Sequence, residues 1–315
     1  MTANIVEPCT YSVVVAVFNE EEVLPHFYDR LTKVLNSLEG ESEIIFINDG
    51  SSDQSPLILH EMRRRDPRVK IINFARNFGH EIAVIAGLDH ASGQATIIMD
   101  ADLQDPPEVI PDLVAKWREG YEVVYAQRTD RAGESGFKKI TASWYYRLMR
   151  AVTSIDLPVD TGNFRLIGRR ALKAVSSMRE RHRFLRGMVC WVGFRQIGVG
   201  YDRAPRAAGE TKYPLRKMVK LAKDGIYSFS RVPLELATYL GFFTAIVAFV
   251  LIIWVLVEKA LSRSVVAGWA STMSVILFLG AIQLISLGII GDYLGRIYDE
   301  VRRRPLYIVD ETEGL

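Results

Sequence analysis

The residues with the most chemical content lie in one short stretch, Met99-Asp100-Ala101-Asp102-Leu103-Gln104-Asp105-Pro106-Pro107-Glu108. Two carboxylates one residue apart, followed by a side-chain amide, are oxygen donors suited to a hard divalent cation such as Mg²⁺ or Mn²⁺. Such an ion takes few protein ligands and completes its shell with phosphate and water. Asp100 and Asp102 point to one side only if the backbone between them stays extended. The competing reading is an acidic loop that caps the following helix. Context sharpens the choice. Asn19-Glu20, Asp49-Gly50-Ser51-Ser52-Asp53 and Arg76-Asn77-Phe78-Gly79 each follow a similar apolar run. Carboxylates at such ends can accept hydrogen bonds from ribose hydroxyls or a base edge. Asp49 fits that contact, whereas Asp53, further along, fits a helix cap.

The elements that must position these groups alternate. Residues 11–18 (YSVVVAVF), 43–48 (EIIFIN), 69–74 (VKIINF), 95–99 (ATIIM) and 122–126 read as strands, rich in β-branched residues and buried on both faces. Between them, Val23, Leu24, Phe27, Leu31, Leu35 and Leu38 recur near the helical period, and residues 80–90 and the stretch after Pro107 also read as helices. This order predicts a parallel, doubly wound α/β sheet with ligands at the carboxyl ends of its strands. His80, beside Gly79 after the third strand, is close enough in sequence to approach that edge. The other histidines are scattered and form no metal set.

The last third differs. Residues 236–257 and 264–291 carry no charge, and a membrane-spanning helix needs about 20 apolar residues. Two such helices with a short connector at 258–263 predict an antiparallel transmembrane hairpin. Lys212, Arg216, Lys217, Lys220, Lys223 and Arg231 precede it, and Arg296, Arg302, Arg303 and Arg304 follow it. The positive-inside rule then puts both chain ends and the α/β domain in the cytoplasm. Leu215, Met218, Val219, Ala222, Ile226 and Phe229, with lysines between them, predict a basic amphipathic helix on an anionic leaflet. The expected organisation is a catalytic domain over residues 1–211, an interfacial helix region over 212–231, two transmembrane helices over 232–292 and a basic tail over 293–315.

Of the 315 residues, 49% are hydrophobic and 24% charged, with a formal net charge of +2. That excludes a largely disordered chain and argues against a nucleic-acid binder. Two cysteines, Cys9 and Cys190, cannot make a disulfide framework and fit a reducing compartment. No basic start followed by an apolar run marks a secretory signal.

The stretches VAVFNEEE, FINDGSSDQS, FARNFGHE, MDADLQDPPE, YAQR, DTGNFRLIGRR and GETKY, in this order, resemble the family-2 inverting glycosyltransferases. The likeness covers most of the chain. The apolar hairpin and the segment LISLGIIGDYLGRIYDEVRRRPLYIV narrow it to the polyprenyl-phosphate branch, which includes dolichol-phosphate mannose synthase and the bactoprenol glucosyltransferases. The resemblance implies a GT-A (Rossmann-like) fold, a nucleotide-sugar donor, a polyprenyl-phosphate acceptor, a divalent cation, a bacterial inner membrane location and a homo-oligomer. It implies donor contacts from Ala16, Phe18, Glu20, Ile47, Asp49, Asp100, Ala101, Asp102, Gln104, Arg128, Arg206 and Lys212, with the metal held by Asp100, Asp102 and Gln104. The family usually has Pro at position 16 and Tyr at position 18. It commonly has Asp in the turn where this chain has Asn163, and an amide cannot take a proton as a base would. Asp160 could substitute, or serve only in the turn, and Arg165 could bind the acceptor phosphate or pair with Asp160. Glucose from UDP-glucose is the expected donor. The alternatives are GDP-mannose or a UDP-aminosugar, and a catalytically weak scaffold of a lipid-glycan complex.

Overall fold

The computed structural model describes residues 9–129, 158, 161–202, 226–227, 229–260 and 268–315. Eight strands form one sheet: β1 (Tyr11–Val17), β2 (Ser42–Asn48), β3 (Val69–Phe74), β4 (Ala95–Asp100), β5 (Val123–Arg128), β6 (Thr161–Gly168), β7 (Gln196–Tyr201) and β8 (Val309–Glu313). Their order is β7-β5-β6-β4-β1-β2-β3-β8. Helices α1 (Leu24–Ser37), α2 (Ser55–Arg65) and α4 (Ile110–Arg118) cover one face. Helices α3 (His80–His90), α5 (Arg169–Ser177) and α6 (Leu185–Trp191) cover the other. Every residue of β1 is buried, as a Val-rich run between two helical layers must be. α3 lies so close that a Cβ on Gly87 would stand 2.3 Å from Val14 Cγ1 and 2.7 Å from Ile47 Cδ1. Overpacking of that kind costs about 1–3 kcal/mol.

The sheet is not wholly parallel. β3, β2, β1 and β4 run parallel, but β6 enters antiparallel between β4 and β5, and β8 pairs antiparallel with the β3 edge. The last residues are therefore not a free tail. Their direction follows from the helices before them.

Two long helices, α7 (Val232–Ala260) and α8 (Trp269–Arg302), contain the segments Val232–Trp254 and Ser274–Arg302, each long and apolar enough to cross a membrane. Their large side chains, among them Phe242, Phe249, Leu277 and Leu284, are uncovered by the rest of the protein. The second helix runs from Trp269 past Gly291, where the uncharged run ends, to Arg302. A single glycine costs a helix about 1 kcal/mol, too little to end it; the chain leaves the helix just before Pro305. Its 34 residues span about 51 Å at about 1.5 Å each, well beyond a hydrocarbon core of about 30 Å. The protruding end is fastened to the α/β domain. Glu300 accepts from the Arg181 amide at 2.6 Å, and Asp299 lies 3.1 Å from His182. Tyr307 stacks on Phe74 at 5.1 Å, and the Ala75 amide donates to the Ile308 carbonyl at 3.1 Å. α8 thus delivers the chain to the carboxyl end of β3, so the strand that follows must run antiparallel to it. The interfacial helix expected over 212–231 falls mostly outside the described residues, as does most of the connector.

Candidate functional site

The carboxyl ends of β1, β2 and β4 meet in register: Ala16 pairs with Ile47 on one side and Asp100 on the other. Phe18, just past β1, is 47% exposed and offers an aromatic face, while Ala16 is nearly covered. Asn19 adopts φ 54°, which Asn tolerates. Its Oδ1 accepts from the Ser52 amide at 2.9 Å, and the Glu20 amide donates to Ser55 Oγ at 3.0 Å. These bonds tie the first two loops together. Asp53 accepts from the Ser55 and Glu21 amides and so braces the loop before α2, whose N-cap is Gln54.

Two residues expected at the donor lie beneath the surface. Ile47 is fully buried against α3. Asp49 is 2% exposed, and it accepts from the Phe78 amide at 2.6 Å and the Gly79 amide at 3.0 Å. Burial raises its pKa above the usual value, more than these amides lower it. Asp49 therefore holds the loop after β3 in place. Gly50 beside it has φ +70°, and a Cβ there would stand 2.7 Å from the Asn77 nitrogen.

β4 ends at Asp100, and the extended geometry ends with it. Leu103 takes φ 56°, a conformation costly for a branched side chain and typical of functional sites. The turn lets the Gln104 amide donate to Asp102 Oδ1 at 3.1 Å. Ala101 is buried beneath the loop, and Asp102 and Gln104 are half-buried. Asp100 Oδ1 lies 2.8 Å from His80 Nε2, so the histidine reaches the site edge from α3. Burial pulls the imidazolium down, but Asp100 and Glu81 more than offset it, and its pKa is raised. Among the described residues no group of three or more His, Cys, Asp or Glu is placed to hold a metal ion. Asp100, Asp102 and Gln104 are oxygen donors of the kind a hard divalent cation takes, one that completes its shell with phosphate and water.

The strand β6 borders this loop. Ile98 pairs with Arg165, the last pair of the β4–β6 ladder on this side, and β6 extends beyond it through Asn163 to Thr161. On one face of the turn, Arg128 donates to the Tyr201 hydroxyl, which donates to buried Asp105. Burial and Asp105 push the Tyr201 pKa up to about 12. On the other face stands Arg165, 3% exposed, with Nη2 donating to the Gly162 carbonyl at 2.8 Å and Nε to that of Asn163 at 3.3 Å. Burial and the neighbouring Arg186 pull its pKa down to about 10. Arg186 Nε donates to Asn163 Oδ1 at 3.1 Å. Glu81 faces both arginines, and burial raises its pKa despite them.

Asp100, Asp102 and Gln104 lie in the loop at the end of β4, Ala16, Phe18 and Glu20 lie at the end of neighbouring β1, and Asn163 and Arg165 lie on β6, which pairs with β4. Asp160, Arg206 and Lys212 lie outside the described residues. Sequence reasoning passed over Glu81, Arg186, Tyr201 and Asp105 as individual groups. Glu81 closes FARNFGHE and Asp105 lies in MDADLQDPPE, but nothing local marks Arg186 or Tyr201.

A mixed sheet with an acidic loop at its carboxyl edge, joined to an apolar hairpin, defines the class. The chain belongs to glycosyl transferase family 2, which residues 12–176 match, and residues 232–297 match the GtrB C-terminal hairpin. It is a glycosyltransferase with a GT-A fold. It is 51% identical over 305 residues to the uncharacterized glycosyltransferase YkcC of Bacillus subtilis, covering 97% of this chain and 94% of that one. It is 43% identical over 301 residues to the SfII prophage-derived bactoprenol glucosyl transferase of Shigella flexneri, covering 96% and 97%. Among solved structures, glucosyl-3-phosphoglycerate synthase from Mycobacterium tuberculosis matches with a TM-score of 0.47 and 20% identity, covering 70% of this chain and 78% of that one.

Proposed function

We propose that the protein transfers glucose from UDP-glucose to undecaprenyl or another polyprenyl phosphate, with inversion, at the cytoplasmic face of a bacterial inner membrane. The observation that carries this reading is the fastening of the sheet's carboxyl edge to a hairpin with uncovered apolar sides. Full-length likeness to proteins named bactoprenol glucosyl transferases supports the acceptor and the sugar.

The nucleotide lies along Ala16, Phe18 and Glu20, its diphosphate over Asp100 and Asp102. Asp100, Asp102 and Gln104 would hold Mg²⁺ or Mn²⁺, which supplies positive charge against the leaving diphosphate. Arg128, at the end of β5, is placed to hold the sugar or a phosphate. Arg206 and Lys212 add cations from the segment that precedes the hairpin in sequence. The acceptor is a phosphate, whose second pKa is about 6, so it arrives ionised and needs little help from a base. Asn163 is therefore compatible with catalysis. The chain's main task is to hold two anions side by side in line for displacement.

Purified full-length protein is incubated with radiolabelled UDP-glucose, Mn²⁺ and undecaprenyl phosphate, and lipid is extracted. Label in the lipid is expected. Label only from GDP-mannose or a UDP-aminosugar would reassign the donor, and nucleotide binding without transfer from any donor would refute the proposal.

A further inference from the structure

We infer that Arg186, at the start of α6, binds a phosphate oxygen on the acceptor side of the site. The inference rests on the acceptor class proposed above. Arg165 is the arginine that the turn DTGNFRLIGRR offers for this task, yet its guanidinium is buried and turned back onto the carbonyls of Gly162 and Asn163. It braces the turn and has no free face. Arg186 is arranged differently. Its Nε donates to Asn163 Oδ1 at 3.1 Å, and among the described residues its two terminal nitrogens donate to nothing. That anchors the guanidinium by one edge and, among the described residues, leaves the forked edge open, the geometry that takes a phosphate in bidentate fashion.

Position and charge agree. Arg186 is close enough to His80 to act on its charge, and His80 Nε2 lies 2.8 Å from Asp100 Oδ1, so the guanidinium stands on the side of the site where the acidic loop begins. Among the described residues, the charges near it are Arg165, Glu81 and His80, the last bonded to Asp100. Two arginines against Glu81 leave one positive charge in excess among the described residues. Asn163 orients Arg186 without cancelling that charge, which an aspartate there would do.

The test uses the full-length protein in detergent and the variants Arg186→Gln, Arg186→Lys and Asn163→Asp. Arg186→Gln is expected to raise the KM for polyprenyl phosphate about 10- to 100-fold, the range for losing a charge-assisted pair. The donor KM and the melting temperature are expected to stay as in the parent. Arg186→Lys keeps the charge without the fork and falls between. Asn163→Asp raises the acceptor KM less than Arg186→Gln. Binding of a short soluble prenyl phosphate at saturating UDP, read by calorimetry, should weaken in the same order. An unchanged acceptor KM and unchanged prenyl-phosphate binding in Arg186→Gln would overturn the inference. So would a rise in donor KM alone, which would give the fork to the donor diphosphate. Arg186-dependent prenyl-phosphate binding without sugar transfer would overturn only the reaction proposed above.

Discussion

At the amino end of the sheet, Glu43 on β2 is 4% exposed and fully engaged. Ser12 Oγ donates to it at 2.5 Å, the Ser92 amide at 2.7 Å and Ser92 Oγ at 2.9 Å, and Lys70 Nζ lies 2.6 Å away. Burial alone would raise its pKa, but Lys70, Ser12 and Ser92 outweigh it, and the carboxyl is held below its usual value. At the carboxyl end the balance reverses. Burial raises Asp49 and Glu81 in spite of amides and arginines close by. Both ends bury acids, so burial does not mark function. The ends differ in whether neighbours compensate the charge. The amino end is closed, whereas the carboxyl end keeps exposed aromatic surface, a strained loop and an open guanidinium.

Variants can break this contrast. The largest effect is expected for Asp102→Ala, which should lower transfer at least about 100-fold, the scale for losing charge stabilisation of a leaving group. The melting temperature should fall far less than the transfer rate, because the side chain is only half-buried. A variant that folds and transfers sugar at the parent rate would remove Asp102 from the chemistry.

Glu43→Ala should do the opposite. It strands Lys70 and two serines, and breaking a buried pair costs about 3–5 kcal/mol, read by denaturant unfolding. Nucleotide affinity of the folded fraction should hold. The loss should also depend on pH. A lowered folded pKa means that Glu43 contributes stability above its unfolded pKa and loses it as pH falls through the folded value. The gap between parent and variant should therefore be widest at neutral pH and narrow in acid. A gap that widens in acid would contradict the compensation argument.

Ser92→Ala is the mildest probe. It removes one hydroxyl donor but leaves the amide bond to Glu43, so about 1 kcal/mol should be lost, with transfer unaffected. An activity loss larger than the stability loss would mean that the two ends are coupled.

The sequence carried the first five strands, the acidic loop after β4 and the apolar hairpin. These follow from period, turn chemistry and composition, which act over a few residues. The placement of β6 and β8 was not legible, because strand order depends on where distant connections deliver the chain. The return of α8 to the end of β3 makes the last strand antiparallel, and no local signal in residues 309–313 encodes that. The roles of the arginines were decided the same way. Arg165 has the motif, but the register of β6 turns it inward, and Arg186, over twenty residues later, takes the open position. Tertiary structure alone determines which charges face one another, since Coulomb energy and desolvation depend on separation in space and burial, which spacing along a chain does not specify.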